Sequence, residues 1–234
     1  MGSIKKIFVL HGWTNTTDKW LKFMKLIPEN DFTPVLLQVP GLTTETDRVW
    51  TLNDYVEWLN GIISKEREKP IAIGHSNGGR IAIAFAAKYP DKLKYLILID
   101  SAGIYHNELP MRIKRFVFKN IAKLGKKLTS SETLRELLYK LAGESDYKNA
   151  TPQMRQTMAN LISVDLTLLL AKITTPTSLI WGERDKLTPL TDGKLMHKLI
   201  KNSQLYQLKS AGHSPHYTHA KEIVQKIVEK IQNI

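Results

Sequence analysis

The sequence predicts an α/β fold, with a mostly parallel sheet of about six strands flanked by helices and an inserted all-helical lid. Short runs rich in Ile, Val and Leu alternate with longer segments whose apolar residues recur at helical spacing. This alternation favours a parallel sheet with helices on both faces. It stops between residues 104 and 160, where helical patterns dominate, and then resumes.

The strand and helix segments divide the chain into a core and an insertion. Buried strands are predicted at residues 4–10, 33–39, 71–73, 94–99, 176–181 and 203–208. Helices are predicted at residues 18–27, 52–67, 81–88, 163–171, 190–201 and 216–231. Residues 1–103 and 161–234 therefore form the predicted core domain, and residues 104–160 the predicted lid. Because the insertion begins beyond the end of a strand, we expect it at the ligand-binding edge of the sheet.

Composition narrows the class of protein and its location. The 234 residues include no cysteine, which excludes disulfides, a thiol nucleophile and cysteine metal sites. No run of about 18 apolar residues occurs, which argues against a transmembrane helix. The first residues lead straight into a strand and lack the apolar core of a signal peptide. Cytoplasmic residence is therefore expected.

The net charge of +12 is strongly basic. Such an excess of positive charge can indicate that a protein binds nucleic acid, an anionic membrane or an acidic partner. We expect no nucleic-acid partner, because the sequence shows no groove-reading motif and no basic patch interleaved with aromatic residues. The sequence carries no signal for an oligomeric state.

A Gly-x-Ser-x-Gly pattern lies at residues 74–78, directly after a β-branched run and directly before a helix-forming run. A nucleophilic serine on a tight strand-to-helix turn requires this context, because the turn projects the hydroxyl above the sheet edge. Gly74 and Gly78, on either side of Ser76, let the strand and the helix approach closely. Ordinary turns also contain the pattern, so the catalytic interpretation depends on a base and an acid elsewhere.

His213 and Asp185 are the predicted base and acid. A serine hydroxyl needs a base to take its proton and a third group to orient that base. His213 follows the last predicted strand, and Asp185 follows the strand before it. The chain order Ser76, Asp185, His213 is the order expected for a serine on this type of turn. Other candidates for the acid are Glu183, Asp192 and Asp100.

Four motifs resemble those of the α/β-hydrolase superfamily and occur in the family's order. His11-Gly12 resembles its oxyanion motif, and residues 74–79 resemble its nucleophile turn. Residues 181–185 (Trp-Gly-Glu-Arg-Asp) and Gly212-His213 resemble its acid and base motifs. The resemblance covers nearly the whole chain outside the insertion.

The resemblance implies a role for each matching residue. Ser76 would be the nucleophile, His213 the base and Asp185 the acid that orients it. The backbone N–H groups of Trp13 and Asn77 would form the oxyanion hole. The resemblance implies no metal and no organic cofactor. The supporting residues would be His11, Gly12, Gly74 and Gly78.

Three further histidines lie near these motifs. We interpret His75, beside the nucleophile, as structural, with its ring on the side away from the pocket. His216 and His219 lie three residues apart at the start of a predicted helix. With His213 they could suggest a metal site, but no carboxylate or cysteine pattern accompanies them. We therefore predict no metal site and interpret both as surface or pocket-rim residues.

The predicted lid contains a basic amphipathic segment at residues 111–127. It holds seven basic residues and no acidic one, with apolar residues at helical spacing. The simplest interpretation is a lid helix with solvated Lys and Arg side chains. Two alternatives are docking to an acidic carrier such as acyl carrier protein, and contact with an anionic membrane surface.

These motifs favour a serine hydrolase acting through an acyl-enzyme on a small-molecule carboxylic ester, or on a lactone or thioester. A carbon–carbon bond hydrolase for dienoic or β-diketone substrates would use the same three residues. A non-catalytic ligand-binding or receptor-type protein with this fold is the alternative from a different class.

Overall fold

A parallel sheet forms the centre of the computed structural model, which describes residues 5–13, 17–42, 44, 46–106 and 150–232. Its six strands lie in the order β2-β1-β3-β4-β5-β6, and every neighbouring pair is parallel. The strands are β1 (Lys5–Leu10), β2 (Phe32–Leu36), β3 (Ile71–His75), β4 (Tyr95–Ile99), β5 (Thr177–Gly182) and β6 (Ser203–Leu208). The sheet predicted from the sequence is therefore confirmed.

Eight described helices flank or cap the sheet. They are α1 (Asp18–Met24), α2 (Leu52–Ile63), α3 (Asn77–Lys88), α4 (Pro152–Ile162), α5 (Thr167–Leu170), α6 (Leu190–Leu199), α7 (Pro215–Thr218) and α8 (Ala220–Ile231). None of these described helices is long and apolar enough to cross a membrane. Residues 107–149, with the basic segment 111–127, lie outside the described residues. The lid and the division into core and insertion therefore stay predictions.

Alternating side chains of the strands build two cores, one on each face of the sheet. In β1, Ile7 and Val9 pack with apolar residues of α1 and α8, whereas Phe8 and Leu10 pack with α2 and α3. The same alternation occurs in β4, because successive side chains of a strand point to opposite faces. Both faces of the central strands are therefore covered, as the continuous apolar runs in the sequence indicate.

Two predicted helices differ most from the observed ones. The predicted helix at residues 163–171 is helical only from Thr167 to Leu170. The Asp165 carboxylate accepts the Thr167 N–H at 3.1 Å, a local bond that competes with a longer helix. The single helix predicted at residues 216–231 is two helices, separated at His219, whose φ of −127° is not helical.

Helix α4 is fixed to the loop that follows β2. The Thr157 hydroxyl, which is fully buried, accepts the backbone N–H of Trp50 at 2.9 Å. The Asn160 amide donates to the Trp50 carbonyl at 3.2 Å. On the same helix, the Met158 sulfur accepts a hydrogen bond from the Asn77 side-chain amide at 3.3 Å. Helix α4 therefore lies against the residue that follows Ser76.

Replacing Thr157 with Val is expected to lower the free energy of unfolding by about 1–3 kcal/mol, because it leaves the buried Trp50 N–H without an acceptor. Urea denaturation measures the change. The matched control is Thr33→Val, on an exposed position of β2, for which a change within about 0.5 kcal/mol is expected. Equal stability of the two variants would contradict the docking role of Thr157.

Candidate active site

Ser76 occupies a sharp turn between β3 and α3. Its φ of 51° and ψ of −120° lie in a region that residues other than glycine rarely adopt. Neighbouring backbone holds it there. The Ser76 N–H donates to the Asp100 carbonyl at 3.2 Å, and the Ser76 carbonyl accepts the Ala102 N–H at 3.0 Å. Strain of this kind persists only where the surroundings enforce it, and it is common at functional sites.

The three predicted supporting glycines lie where no larger residue fits. A Cβ on Gly78 would lie 2.1 Å from the Leu10 carbonyl oxygen, and one on Gly74 would lie 2.7 Å from the Gly79 Cα. A Cβ on Gly12 would lie 2.9 Å from the Ser76 Cβ. Gly78 and Gly74 allow β3, α3 and β1 to approach closely. Gly12 brings the loop after β1 against the serine.

Ser76, His213 and Asp185 form one hydrogen-bonded chain. The Ser76 Oγ lies 3.0 Å from the His213 Nε2, and the His213 Nδ1 lies 2.8 Å from the Asp185 Oδ2. Because an ionised carboxylate only accepts hydrogen bonds, Nδ1 carries the proton and Nε2 is left to accept from the serine. The three residues follow β3, β5 and β6, so the parallel sheet brings them to one edge. The structure thus brings together the three residues that the sequence analysis singled out.

Asp185 is held as an anion by several donors. Burial alone would raise its pKa, but hydrogen bonds from His213, Thr188 and Leu187 lower the pKa below its ordinary value. The Leu187 and Thr188 N–H groups donate to Oδ1 at 2.8 and 3.1 Å. The Thr188 hydroxyl donates to Oδ2 at 2.7 Å. The acid is therefore charged at neutral pH and able to stabilise a protonated His213.

Thr188 is a site residue that the sequence analysis missed. Its buried hydroxyl bonds the same carboxylate oxygen that accepts from His213. A local signal was present: an Asp whose side chain accepts N–H groups two and three residues further on forms a common turn. The spacing from Asp185 to Thr188 and Pro189 fits that turn.

None of the alternative candidates for the acid forms the hydrogen bond to His213 that Asp185 forms. Asp100 is fully buried and accepts the Gly182 N–H at 2.8 Å, so it joins β4 to β5 rather than orienting His213. Burial, reinforced by the charge of Asp185, raises the pKa of Asp100 to about 8. Asp192 lies 2.9 Å from the His106 Nε2. Glu183 is exposed.

One cluster among the described residues has the side-chain types of a metal site. Oxygens of Asp100 and Asp185 and a nitrogen of His213 lie within 4.8 Å of one another. The His213 Nδ1 carries the proton that it donates to Asp185, so this nitrogen has no lone pair for a cation. The donor set therefore fits an acid–base pair better than it fits a cation.

The two predicted oxyanion donors belong to the residue after Ser76 and to the residue after Gly12. Asn77 is the first residue of α3, so its N–H has no partner within the helix, and helix N-termini favour negative charge. Trp13 follows Gly12, which contacts Ser76. Neither N–H donates to another residue of the described segments. Buried His11 donates through Nδ1 to the Gly12 carbonyl at 2.7 Å and so supports this loop.

His216 is buried beneath the site, so the interpretation as a surface or pocket-rim residue is wrong. Its ring stacks on Trp20 with centroids 4.1 Å apart and meets the His75 ring at 4.5 Å. The reason is the short helix α7, which turns His216 toward α1 instead of toward solvent. Burial, with His213 and Lys19 nearby, lowers its pKa to about 3. His219 is half-buried, as expected for a rim residue.

The buried histidines predict a loss of stability in acid. A histidine whose folded pKa is depressed binds a proton more readily when unfolded. The free energy of unfolding therefore falls as the pH drops below about 6.5, the unfolded value, and continues to fall toward about 3 for His216. At pH 5 the expected loss from His216 is about 2 kcal/mol.

Urea denaturation at pH 7.5 and pH 5 measures this loss. The matched variant is His216→Phe, which keeps an aromatic ring on Trp20 but removes the titrating group. We expect a smaller loss of stability between the two pH values in this variant than in the wild type. An identical loss in both proteins would show that His216 is not the group responsible.

A parallel sheet with a strand–serine–helix turn at the point where strand order reverses is the architecture of α/β hydrolases. The model of the alpha/beta hydrolase fold family matches residues 6–220. The chain therefore belongs to the α/β-hydrolase family.

Relatives of the chain carry the names of ester hydrolases. Monoacylglycerol lipase ABHD6 of Bos taurus is 26% identical over 269 residues, which cover 100% of this chain and 77% of the relative. A pimeloyl-[acyl-carrier protein] methyl ester esterase of Neisseria meningitidis is 25% identical over 243 residues, covering 93% of this chain and 89% of the relative. These similarities support a hydrolase.

A solved structure supports the fold. The structure of a thermophilic esterase from Thermogutta terrifontis has a TM-score of 0.73 and 21% identity, and the match covers 99% of this chain and 91% of that one. At this identity the likeness is evidence for the fold alone.

Proposed function

We propose that this protein is a serine carboxylesterase that acts through an acyl-enzyme. The observation that carries the proposal is the hydrogen-bonded chain from Ser76 through His213 to Asp185, at 3.0 and 2.8 Å. A serine hydroxyl within 3.0 Å of an imidazole nitrogen that is free to accept its proton has the geometry of an activated nucleophile. The names of the relatives support an ester as the substrate.

In the proposed reaction the Ser76 Oγ attacks the ester carbonyl carbon while His213 Nε2 takes its proton. The carbonyl oxygen becomes an oxyanion, which the N–H groups of Trp13 and Asn77 bind. Asp185 stabilises the imidazolium that forms. The C–O bond to the alcohol then breaks, and His213 returns the proton to the leaving oxygen.

Hydrolysis of the acyl-enzyme repeats these steps with water as the nucleophile. His213 takes a proton from the water, whose oxygen attacks the acyl carbon, and Ser76 leaves with that proton. The product acid and the free serine restore the starting state. The proposal requires no metal or organic cofactor.

The same attack on an acyl carbon extends to lactones and thioesters. The basic segment 111–127 supports a further part of the proposal, in which an acidic carrier or an anionic surface presents the acyl group. One relative is named as acting on a carrier-bound ester. The composition supports a cytoplasmic location.

A substrate panel tests the proposal. The full chain is assayed with p-nitrophenyl esters of graded acyl length, with lactones, with acyl thioesters, and with dienoic and β-diketone compounds. Turnover of esters is expected. Cleavage of the ketones without cleavage of esters would overturn the proposal in favour of carbon–carbon bond hydrolysis. Failure to cleave any class would favour a ligand-binding protein.

A further inference from the structure

His75 is the last residue of β3 and directly precedes Ser76. Its Nε2 lies 2.7 Å from the backbone carbonyl oxygen of His213, a residue 138 positions away in the chain. The two rings are also close, with centroids 5.0 Å apart. The turn that carries the serine and the loop that carries the imidazole are thus joined directly, through one side chain.

The protonation state of His75 follows from this bond. A carbonyl oxygen only accepts, so Nε2 must carry the proton that it donates. Among the described residues, the buried Nδ1 has no hydrogen-bond partner, and it faces Gly12, where a built Cβ would lie 3.2 Å away. Burial, together with the nearby His216 and His213, holds the pKa of His75 well below its ordinary value. The neutral ring therefore has a single polar contact among the described residues, and that contact is to the loop that carries His213.

The surroundings of His75 hold its ring in place. The His216 ring meets it edge to face at 4.5 Å, and Trp20 meets it edge to face at 5.8 Å. Trp20 and His216 stack on each other and are both buried. The donor is therefore directed at the His213 carbonyl by a packed aromatic cluster rather than by a mobile side chain.

We propose that His75 is a positioning residue, whose Nε2–H sets the distance between the Ser76 hydroxyl and the His213 imidazole by holding the His213 backbone. The inference rests on the proposed function of Ser76 and His213. A displacement of about 1 Å between reacting groups can cost about 100-fold in rate. Loss of the bond should therefore lower kcat and leave substrate binding intact.

Two variants separate the hydrogen bond from the packing. His75→Phe keeps an aromatic ring against Trp20 and His216 but removes the donor. His75→Gln loses the ring but places an amide N–H close to the position of Nε2. For a fluorogenic ester, we expect kcat of the Phe variant to fall about 10- to 100-fold with KM unchanged. We expect the Gln variant to recover most of that loss.

A purely structural role predicts the opposite order, with Phe the better replacement because it preserves the packing. Activity of the Phe variant equal to or above that of the Gln variant would overturn the inference. All assays are run below the melting temperature of each variant. The polar control is His75→Asn, whose amide is too short to reach the carbonyl. Its kcat should match that of the Phe variant. If the Phe variant does not fold, a Gln variant no more active than the Asn variant overturns the inference.

The wild type separates this inference from the proposed function. An inactive wild type that a fluorophosphonate does not label contradicts the proposed function itself. A labelled and active wild type, with fully active Phe and Asn variants, contradicts only the role of His75.

Discussion

Replacing Ser76 with Ala is expected to lower kcat/KM for p-nitrophenyl esters by about 10⁴-fold or more while the fold stays intact. The serine hydroxyl supplies the atom that attacks the carbonyl, and no other described hydroxyl lies within hydrogen-bond distance of the His213 Nε2. Removing a nucleophile leaves only the residual rate from oxyanion binding and substrate positioning. Initial rates over a range of substrate concentrations measure the loss.

The matched control is Ser64→Ala, at an exposed position after α2. This variant loses the same atom far from the sheet edge that carries the site, and its activity should equal that of the wild type. Circular dichroism and the melting temperature verify the fold of both variants. Turnover by Ser76→Ala within tenfold of the wild type would remove Ser76 from the mechanism.

Asp185→Asn is expected to lower kcat by about 10³- to 10⁴-fold, whereas Asp100→Asn is expected to lower it by less than about tenfold. The Asp185 carboxylate accepts the His213 Nδ1–H at 2.8 Å and so fixes the tautomer that leaves Nε2 free to act as base. An amide in its place no longer enforces that tautomer and provides no charge for the imidazolium. Asp100 is protonated at neutral pH by its raised pKa and bonds the Gly182 N–H instead.

The comparison of the two Asn variants decides which carboxylate is the acid. Asn at position 100 keeps an oxygen acceptor for the Gly182 N–H, so its fold should be retained. Both variants are measured at pH 7.5 for kcat and KM, with the melting temperature as the check on folding. A larger loss of kcat in Asp100→Asn than in Asp185→Asn would assign the acid to the end of β4.

The geometry of the three central residues could be predicted because it depends on sheet topology. A parallel sheet brings the carboxyl ends of all its strands to one edge, so the residues that follow β3, β5 and β6 lie on the same edge. The turn at Ser76 has its own local signal, since Gly74 and Gly78 lie where a larger residue would collide with backbone. The order of the strands and the position of these glycines can both be inferred from the sequence.

Contacts between distant side chains could not be predicted in this way. The sequence favours a surface or pocket-rim position for His216 at the start of one long helix, and only the break at His219 turns it onto Trp20. The bond from His75 to the His213 carbonyl joins residues far apart in sequence and leaves no pattern. Thr188 differs from these two histidines because its contact with Asp185 is local. The three-residue spacing between them in the sequence is a signal of that turn.

The most direct test of the account is covalent labelling of the full chain with a fluorophosphonate, followed by peptide mass spectrometry. The reagent reacts with a serine whose hydroxyl is activated by a base. We expect one adduct for each molecule of wild type, located on Ser76, and none in Ser76→Ala. An unlabelled wild type, or an adduct on another serine such as the buried Ser101 beside α3, would contradict the account.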